Sequence, residues 1–157
     1  MNNWPKQTFT SMTAFYGPVG ENITQMQLPY QMYLAWDEKA KVKKISCNKK
    51  CAESLHKIFE QTLKTYGLKD IQKLKLNSFG GCVNVRKMRG GSNWSIHSWG
   101  AAVDLDPDRN LLKWGRDKAA FAKKEYDAFW KIVENEGWTS LGRARNFDWM
   151  HFQAANL

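Results

Sequence analysis

Two short segments of the chain carry histidine and aspartate side chains that could bind a metal ion and activate water. The first segment contains His97 and Asp104, and the second contains Asp148 and His151. The chain has only three histidines, and two of them lie in these segments. A catalytic zinc ion needs three protein ligands and one open position for water. These four residues therefore form a candidate set for metal-assisted hydrolysis.

The spacing within each segment is compatible with such a site. A turn at Gly100 would bring His97 beside Asp104, because glycine allows unusual backbone angles and close approach. An aspartate inside an apolar strand is costly to bury unless it is paired or bound to metal. Asp148 stands three residues before His151, near enough to approach the same water. Spacing alone also permits two core histidines and two capping aspartates, since it matches no general metal motif.

The elements that must position these residues follow from hydrophobic periodicity and glycine or proline breaks. The sequence predicts helices over about 48–66, ended by Gly67, and about 117–136, with strands over about 74–79, 101–106 and 148–153. Residues 1 to about 45 are expected to wrap the core with short extended pieces. The order predicts an α+β fold, with helices packed on one side of a small antiparallel sheet and the metal site at the sheet. The length predicts one domain over residues 1–157.

The balance of charge is strongly basic. Lysine and arginine number 24 against 15 aspartates and glutamates, which gives a formal charge of +9. Such a balance favours polyanionic partners, of which nucleic acid and the anionic bacterial envelope are two candidates. No zinc-finger, basic-zipper or aromatic RNA-binding pattern is visible, so no nucleic-acid partner is expected. A soluble basic surface without a partner is the alternative.

The three cysteines are Cys47, Cys51 and Cys82. An odd count argues against a disulfide framework, and buried thiols that pack as small hydrophobic groups are expected instead. Cys47 and Cys51 with His56 imitate a metal site, but the four-ligand spacing of structural zinc modules is missing. A Cys82–His97 pair would suggest a cysteine peptidase, although it would leave Asp104 without a role.

The chain carries no apparent targeting segment. No apolar run approaches the ~20 residues that are needed to span a membrane. The first residues lack the charged and then apolar pattern of a signal peptide. We therefore expect a protein that is made in the cytoplasm without an export route of its own.

The two segments together resemble a known family. Ser-x-His-x-x-Gly-x-Ala-x-Asp over residues 95–104, followed by Asp-x-x-His over 148–151, is similar to the signature of the VanY-type D-alanyl-D-alanine carboxypeptidase family of zinc peptidases. Within that family the chain resembles the phage endolysin branch, which has L-alanyl-D-glutamate or related specificity. Residues 79–92 and 149–153 also resemble phage-associated members, and the similarity extends from Leu28 to Gln153.

The resemblance implies a set of metal ligands and a catalytic acid/base. It implies that His97, Asp104 and His151 bind one zinc ion per chain. It further implies that Asp148 takes a proton from the attacking water and passes it to the leaving amine. Many relatives carry glutamate at this position, and because aspartate is one methylene shorter, the base must be held nearer the water.

The resemblance also implies residues that contact the substrate. The family places an arginine near the substrate carbonyl, and Arg86 and Arg89 both qualify. Arg86 is preferred, because it follows the Gly-Gly turn as the family's arginine does. Ser95, two residues before His97, is expected to support the loop or to bind the substrate, and Trp149 is expected to bind the substrate. Asp106 could orient a metal ligand, although capping before Pro107 is an equal alternative.

The function that the resemblance favours is a monomeric phage-type endolysin that cuts the stem peptide of peptidoglycan to lyse the host cell. Such an enzyme would accumulate in the cytoplasm of the infected cell and, once released, act in the periplasm and cell wall. The absence of a separate wall-binding domain fits small lysins, and the basic charge would aid adhesion to the envelope. The alternatives are a D-alanyl-D-alanine carboxypeptidase or dipeptidase of wall remodelling, and a basic binding protein without activity.

Overall fold

The protein is built on one β-sheet, described here by a computed structural model that covers residues 3–88 and 90–157. The helices and strands are α1 (Phe9–Tyr16), β1 (Ile23–Leu34), β2 (Asp37–Asn48), α2 (Ala52–Lys73), β3 (Ser78–Gly81), β4 (Ala102–Leu105), α3 (Asp127–Asn135), β5 (Thr139–Ser140), α4 (Leu141–Arg145) and β6 (His151–Gln153). Short 3₁₀ turns span Ile96–Trp99, Pro107–Arg109, Ala120–Ala122 and Lys124–Tyr126. Within these ranges the sheet has six strands in the order β2-β1-β3-β4-β6-β5.

The centre of the sheet brings distant parts of the sequence together. Strands β4 and β6 are antiparallel, and their register sets Asp104 opposite His151. The other neighbouring strands of the described sheet are also antiparallel, except that β1 runs parallel to β3. Both candidate segments therefore lie on adjacent strands, and residues 47 positions apart in sequence become neighbours.

Two helices cover the sheet with apolar side chains. Helix α2 buries Leu55, Ile58 and Phe59, and the ring of Phe59 meets that of Tyr30 on β1 at 5.9 Å. In α3, Phe129 packs on Phe152 of β6 with their ring centroids 5.8 Å apart. Burial of side chains of this size is the main stabilising contribution to such a core. The predicted α+β class, with the candidate site at the sheet, is confirmed.

The N-terminal region is more regular than the sequence suggested. Instead of short extended pieces, it forms α1 and two strands of 12 residues each that pair as a hairpin. Every second residue of β1 from Met26 to Met32 is buried, which is the period expected of a strand. Pro29 obscures this pattern, because proline cannot donate to a ladder. The structure accommodates it with a shift of register between Gln27 and Met32.

Several element boundaries differ from the predicted ones. Helix α2 continues to Lys73 past a kink at Gly67, which has a φ of 77°. The predicted second helix is helical only in α3. Ahead of it, the Phe121 amide donates to Asn110 Oδ1 and the Phe121 carbonyl accepts from Trp130 Nε1, which favours short turns. The strand predicted from residue 74 begins at Ser78, after a turn.

None of the helices within residues 3–88 and 90–157 combines the length and the apolar character needed to cross a bilayer.

Gly100 is the residue that turns the chain from His97 toward β4. It ends the 3₁₀ turn in the left-handed region, with φ 71° and ψ 27°. A Cβ atom there would lie 2.8 Å from the Asn48 amide nitrogen and 2.8 Å from Ile23 Cδ1. The Gly100 carbonyl accepts a 2.9 Å hydrogen bond from that same amide. The expected turn is present, and it needs glycine for both its backbone angle and its space.

We predict that Gly100→Ala destabilises the fold more than Gly90→Ala does. Gly90 has nearly the same φ, 72°, but a Cβ atom added there would meet nothing within 4 Å. Gly90→Ala should therefore lose only about 1–3 kcal/mol for backbone strain. Gly100→Ala should lose that amount and a further ~1–3 kcal/mol for overpacking. Urea unfolding of both variants measures the difference, and equal losses would contradict the role of close packing at Gly100.

Candidate metal centre

Three side chains from different elements converge at one point. His97 comes from the 3₁₀ turn, Asp104 from β4 and His151 from β6, and one ligand atom of each lies within 4.8 Å of the others. His97 Nε2 is 3.2 Å from Asp104 Oδ2, and His151 Nδ1 is 3.2 Å from Asp104 Oδ1. The His97 and His151 side chains are 5% and 7% exposed, and that of Asp104 is 19% exposed. The structure thus brings together the predicted ligand set.

The hydrogen bonds of the two imidazole rings decide which nitrogen faces the centre. His97 Nδ1 lies 2.8 Å from the carbonyl oxygen of Cys82. A carbonyl only accepts, so His97 donates from Nδ1, and a neutral ring then presents the Nε2 lone pair to Asp104. His151 Nε2 lies 2.8 Å from Gln153 Oε1, which leaves Nδ1 for the centre. Metal-bound histidines are held by such outer partners.

The donor set fits a divalent cation. Two imidazole lone pairs and a carboxylate face one another, and such acceptors repel unless a proton or a metal ion lies between them. Burial alone would raise the pKa of Asp104, but the nearby His97 and His151 lower it well below its usual range. Burial likewise opposes the charged form of His151, yet Asp104 raises its pKa overall. Two histidines and one carboxylate are a known ligand set for catalytic zinc.

Asp148 lies beside this cluster. Its Oδ2 is 4.0 Å from His151 Nδ1, and its side chain is mostly buried. The backbone is left-handed, with φ 54°, and is fixed by a 2.8 Å bond from its amide to the Leu112 carbonyl. Burial raises the pKa of Asp148, and the positive charges of His151 and Arg86, among others, partly oppose this rise. A strained backbone and a raised pKa at one carboxylate are typical of functional positions.

Arg86 is connected to the His97 turn through its backbone. The Arg86 amide donates to Ser98 Oγ at 3.1 Å, and its carbonyl accepts from the Ser95 amide at 2.9 Å. Its guanidinium Nη1 donates to the Lys87 carbonyl at 3.3 Å, and its positive charge is a minor influence that lowers the pKa of Asp148. Arg89, the other predicted arginine, lies outside the described residues.

The two residues expected to bind substrate are buried. Ser95 Oγ accepts a 3.3 Å hydrogen bond from the His97 amide, which stabilises the turn that carries this ligand. Trp149 is 3% exposed, packs on Gly142 and donates to Asn146 Oδ1 at 3.2 Å. These contacts support the shape of the site from within. A direct contact of either residue with substrate stays a prediction.

Asp106 does not orient a ligand through the contacts the structure describes. It leaves the strand with a φ of 45°, so its side chain pairs with Arg109 Nε at 2.6 Å. The outer partners are instead the Cys82 carbonyl and Gln153. The sequence alone could have indicated Gln153 as a partner of His151. It lies two residues after His151, and residues two apart on a strand share one face.

The cysteines are buried free thiols, as expected. Cys82 Sγ points at the Gly100 carbonyl, at 3.6 Å, while its own carbonyl binds His97. Burial raises the pKa of the Cys82 thiol well above its usual value. A nucleophilic cysteine needs a lowered pKa, so this environment disfavours a cysteine peptidase.

A comparison with known protein families agrees with this geometry. Residues 89–154 match the family model described as D-alanyl-D-alanine carboxypeptidase. The matched segment contains the three candidate ligands and Asp148. The match supports the family that the motifs suggested, and with the ligand cluster it supports a metallopeptidase. No curated protein and no solved structure matches the chain significantly.

We predict that His97→Ala and His151→Ala each abolish tight zinc binding, because a site with two protein ligands loses much of its affinity and geometry. Inductively coupled plasma mass spectrometry should find about one zinc per chain in the unaltered protein. His56→Ala is the matched control, since His56 lies on α2 and outside the ligand cluster. Undiminished zinc content in either ligand variant would show that the assignment is wrong.

Proposed function

We propose that the protein is a zinc peptidase that hydrolyses an amide bond in the stem peptide of bacterial peptidoglycan. The observation that carries this proposal is the convergence of His97, Asp104 and His151, with Asp148 beside them. All four lie in the segment that matches the D-alanyl-D-alanine carboxypeptidase model. A metal site retained for structure alone would need no partly buried carboxylate at its edge.

The ligands of the zinc ion would be His97 Nε2, one oxygen of Asp104 and His151 Nδ1. Three protein ligands leave a position for water or substrate. When bound, zinc supplies a Lewis acid that polarises a carbonyl group and makes water more acidic. The two imidazoles are neutral and the carboxylate carries one negative charge, so the loaded centre would keep a net positive charge.

Asp148 acts as the general base and then as the general acid. Its raised pKa brings it closer to the range in which a carboxyl group both accepts and returns a proton. It takes a proton from the attacking water and passes it to the leaving amine. The Leu112 and His151 backbone contacts hold Asp148 in place, which compensates for a side chain shorter than the glutamate of many relatives.

Arg86 stabilises the oxyanion that forms on the attacked carbonyl. The support for this role is that the Arg86 backbone is bonded to the turn that carries His97 and that its charge lowers the pKa of Asp148 slightly. A positive charge placed near the developing oxyanion would lower the barrier in a partly dry site. Arg86 is preferred over Arg89 because it follows the Gly-Gly turn, as the family's arginine does.

The particular activity we propose is that of a phage endolysin that cuts the L-alanyl-D-glutamate bond. The resemblance of residues 79–92 and 149–153 to phage-associated members supports this choice. We place its action in the periplasm and cell wall, after release from the cytoplasm of the infected cell. The zinc-loaded chain is proposed to act as a monomer.

The anionic envelope is the proposed partner of the basic surface. Strand β2 lies at the edge of the sheet and carries four exposed lysines: Lys39, Lys41, Lys43 and Lys44. Such a row also protects an edge strand from pairing with another sheet. Attraction between this strand and anionic polymers would concentrate the enzyme at its substrate and would weaken with salt.

A D-alanyl-D-alanine carboxypeptidase is the second candidate. The description of the matching family model favours it. The same zinc ligands and base would serve this reaction, because both enzymes hydrolyse an amide bond. The difference is the position of the bond, since a carboxypeptidase removes the terminal residue and leaves the wall intact.

We predict that Asp148→Asn lowers the rate of peptidoglycan hydrolysis by about 100-fold or more while zinc content and folding are retained. The amide has nearly the shape of the carboxyl group but cannot accept the proton from water. Asp117→Asn, at an exposed position, is the matched control and should retain the full rate. A near-normal rate for Asp148→Asn would assign the base to another carboxylate.

The bond itself should be identified by mass spectrometry of fragments from purified peptidoglycan. We expect stem peptides that begin with D-glutamate, together with a fall in turbidity, and both at a rate lower by about 100-fold or more with Asp148→Asn protein. Released D-alanine without loss of turbidity would establish the carboxypeptidase instead. No fragments at all from zinc-loaded, folded protein would contradict both peptidase functions.

A further inference from the structure

Gln153 connects His151 to the N-terminal segment of the chain. Its Oε1 lies 2.8 Å from His151 Nε2, and its Nε2 donates to Gln7 Oε1 at 2.9 Å and to the Ala155 carbonyl at 3.3 Å. Gln153 is 1% exposed, so these contacts replace water. A polar chain of Gln7, Gln153 and His151 thus leads from the first residues of the protein to the metal centre.

The orientation of the Gln153 amide is fixed by its surroundings. The Ala155 carbonyl can only accept, so it selects the NH₂ end of the amide. The oxygen end must then face His151, and the imidazole must donate from Nε2. A neutral His151 therefore carries its lone pair on Nδ1, the nitrogen that faces Asp104. The tautomer of this ligand follows from a side chain that is not itself a ligand.

Gln7 is held in place by a parallel pairing of the two ends of the chain. The Gln7 amide donates to the Asn156 carbonyl at 2.8 Å, and the Asn156 amide donates to the Pro5 carbonyl at 2.8 Å. Asn156 Nδ2 also donates to the Trp4 carbonyl at 2.7 Å. Residues 3–8, named here the N-terminal strap, are thus fixed beside β6, although they lie outside the segment that matches the family model.

We infer that Gln153 is a positioning residue that fixes the Nε2–H tautomer of His151, and that Gln7 of the N-terminal strap supports it. The inference rests on the proposed function, because it requires His151 to be a zinc ligand, as that function does. The strap then contributes to metal affinity as well as to folding. Outer partners of metal-bound histidines typically change affinity by about 10- to 100-fold when removed.

Zinc affinity is the direct test, measured by competition with a chromophoric chelator on the full chain. Gln153→Met has a similar length but lacks a strong acceptor, and it should weaken zinc binding by about 10- to 100-fold. Gln7→Met should weaken it in the same direction and by less. Gln7→Glu keeps an acceptor for the Gln153 amide and should bind zinc as the unaltered protein does.

Two measurements separate positioning from general destabilisation. Gln7 is exposed, so the loss of its acceptor should lower the unfolding temperature of the metal-free protein by only about 2–4 °C. The visible spectrum of the cobalt-substituted protein reports ligand geometry and should change in Gln153→Met. Gln31→Met, an exposed change on β1, is the matched control and should alter neither affinity nor spectrum.

If Gln153→Met and Gln7→Met both kept the zinc affinity and the cobalt spectrum of the unaltered protein, this inference would be overturned and the proposed function would stand. Equal losses in Gln7→Glu and Gln7→Met would overturn the role of the Gln7 acceptor. Failure of the unaltered protein to bind zinc would overturn the proposed function as well, so the two failures are distinguishable.

Discussion

The antiparallel pairing of β4 with β6 is the constraint on which the site depends. Their register places Asp104 opposite His151, and the same pairing places Ala102 opposite Gln153. A slip of one residue would turn His151 toward the other face of the sheet. The apolar contacts of α3 with Phe152 stabilise this register from the core side. Ordinary sheet pairing and packing therefore hold Asp104 and His151, two of the three candidate metal ligands, in place.

Three acceptors that face one another carry an electrostatic cost that the fold must offset. Both imidazoles are held by partners outside the ligand set, with the Cys82 carbonyl on His97 and Gln153 on His151. Rigid partners keep the lone pairs aimed at one point in advance, so little reorganisation is needed when a cation binds. Without a cation or a proton between them these acceptors would repel one another. Their convergence therefore indicates a site that favours a positive charge.

Asp148 differs from the ligands in how it is held. Its position depends on a left-handed backbone and on hydrogen bonds of its main chain. Aspartate tolerates this conformation better than most residues, because its short polar side chain can bond locally. The side chain is left without a rigid partner among its described hydrogen bonds, and this freedom suits the acid/base role proposed for it.

The sequence by itself predicted the fold class and the Gly100 turn, because residue type and local spacing carry that information. It also supplied His97, Asp104, His151 and Asp148 as a candidate set, whose roles the family resemblance implied and spacing left open. It did not determine the long N-terminal hairpin, whose alternation is interrupted by Pro29. Tertiary structure alone decided which histidine nitrogens face the candidate centre. It also decided the Arg109 partner of Asp106 and the contact of Gln7 with Gln153. Gln7 and Gln153 are 146 positions apart, and no local pattern encodes a hydrogen bond that forms only when the two ends of the chain pair beside the sheet.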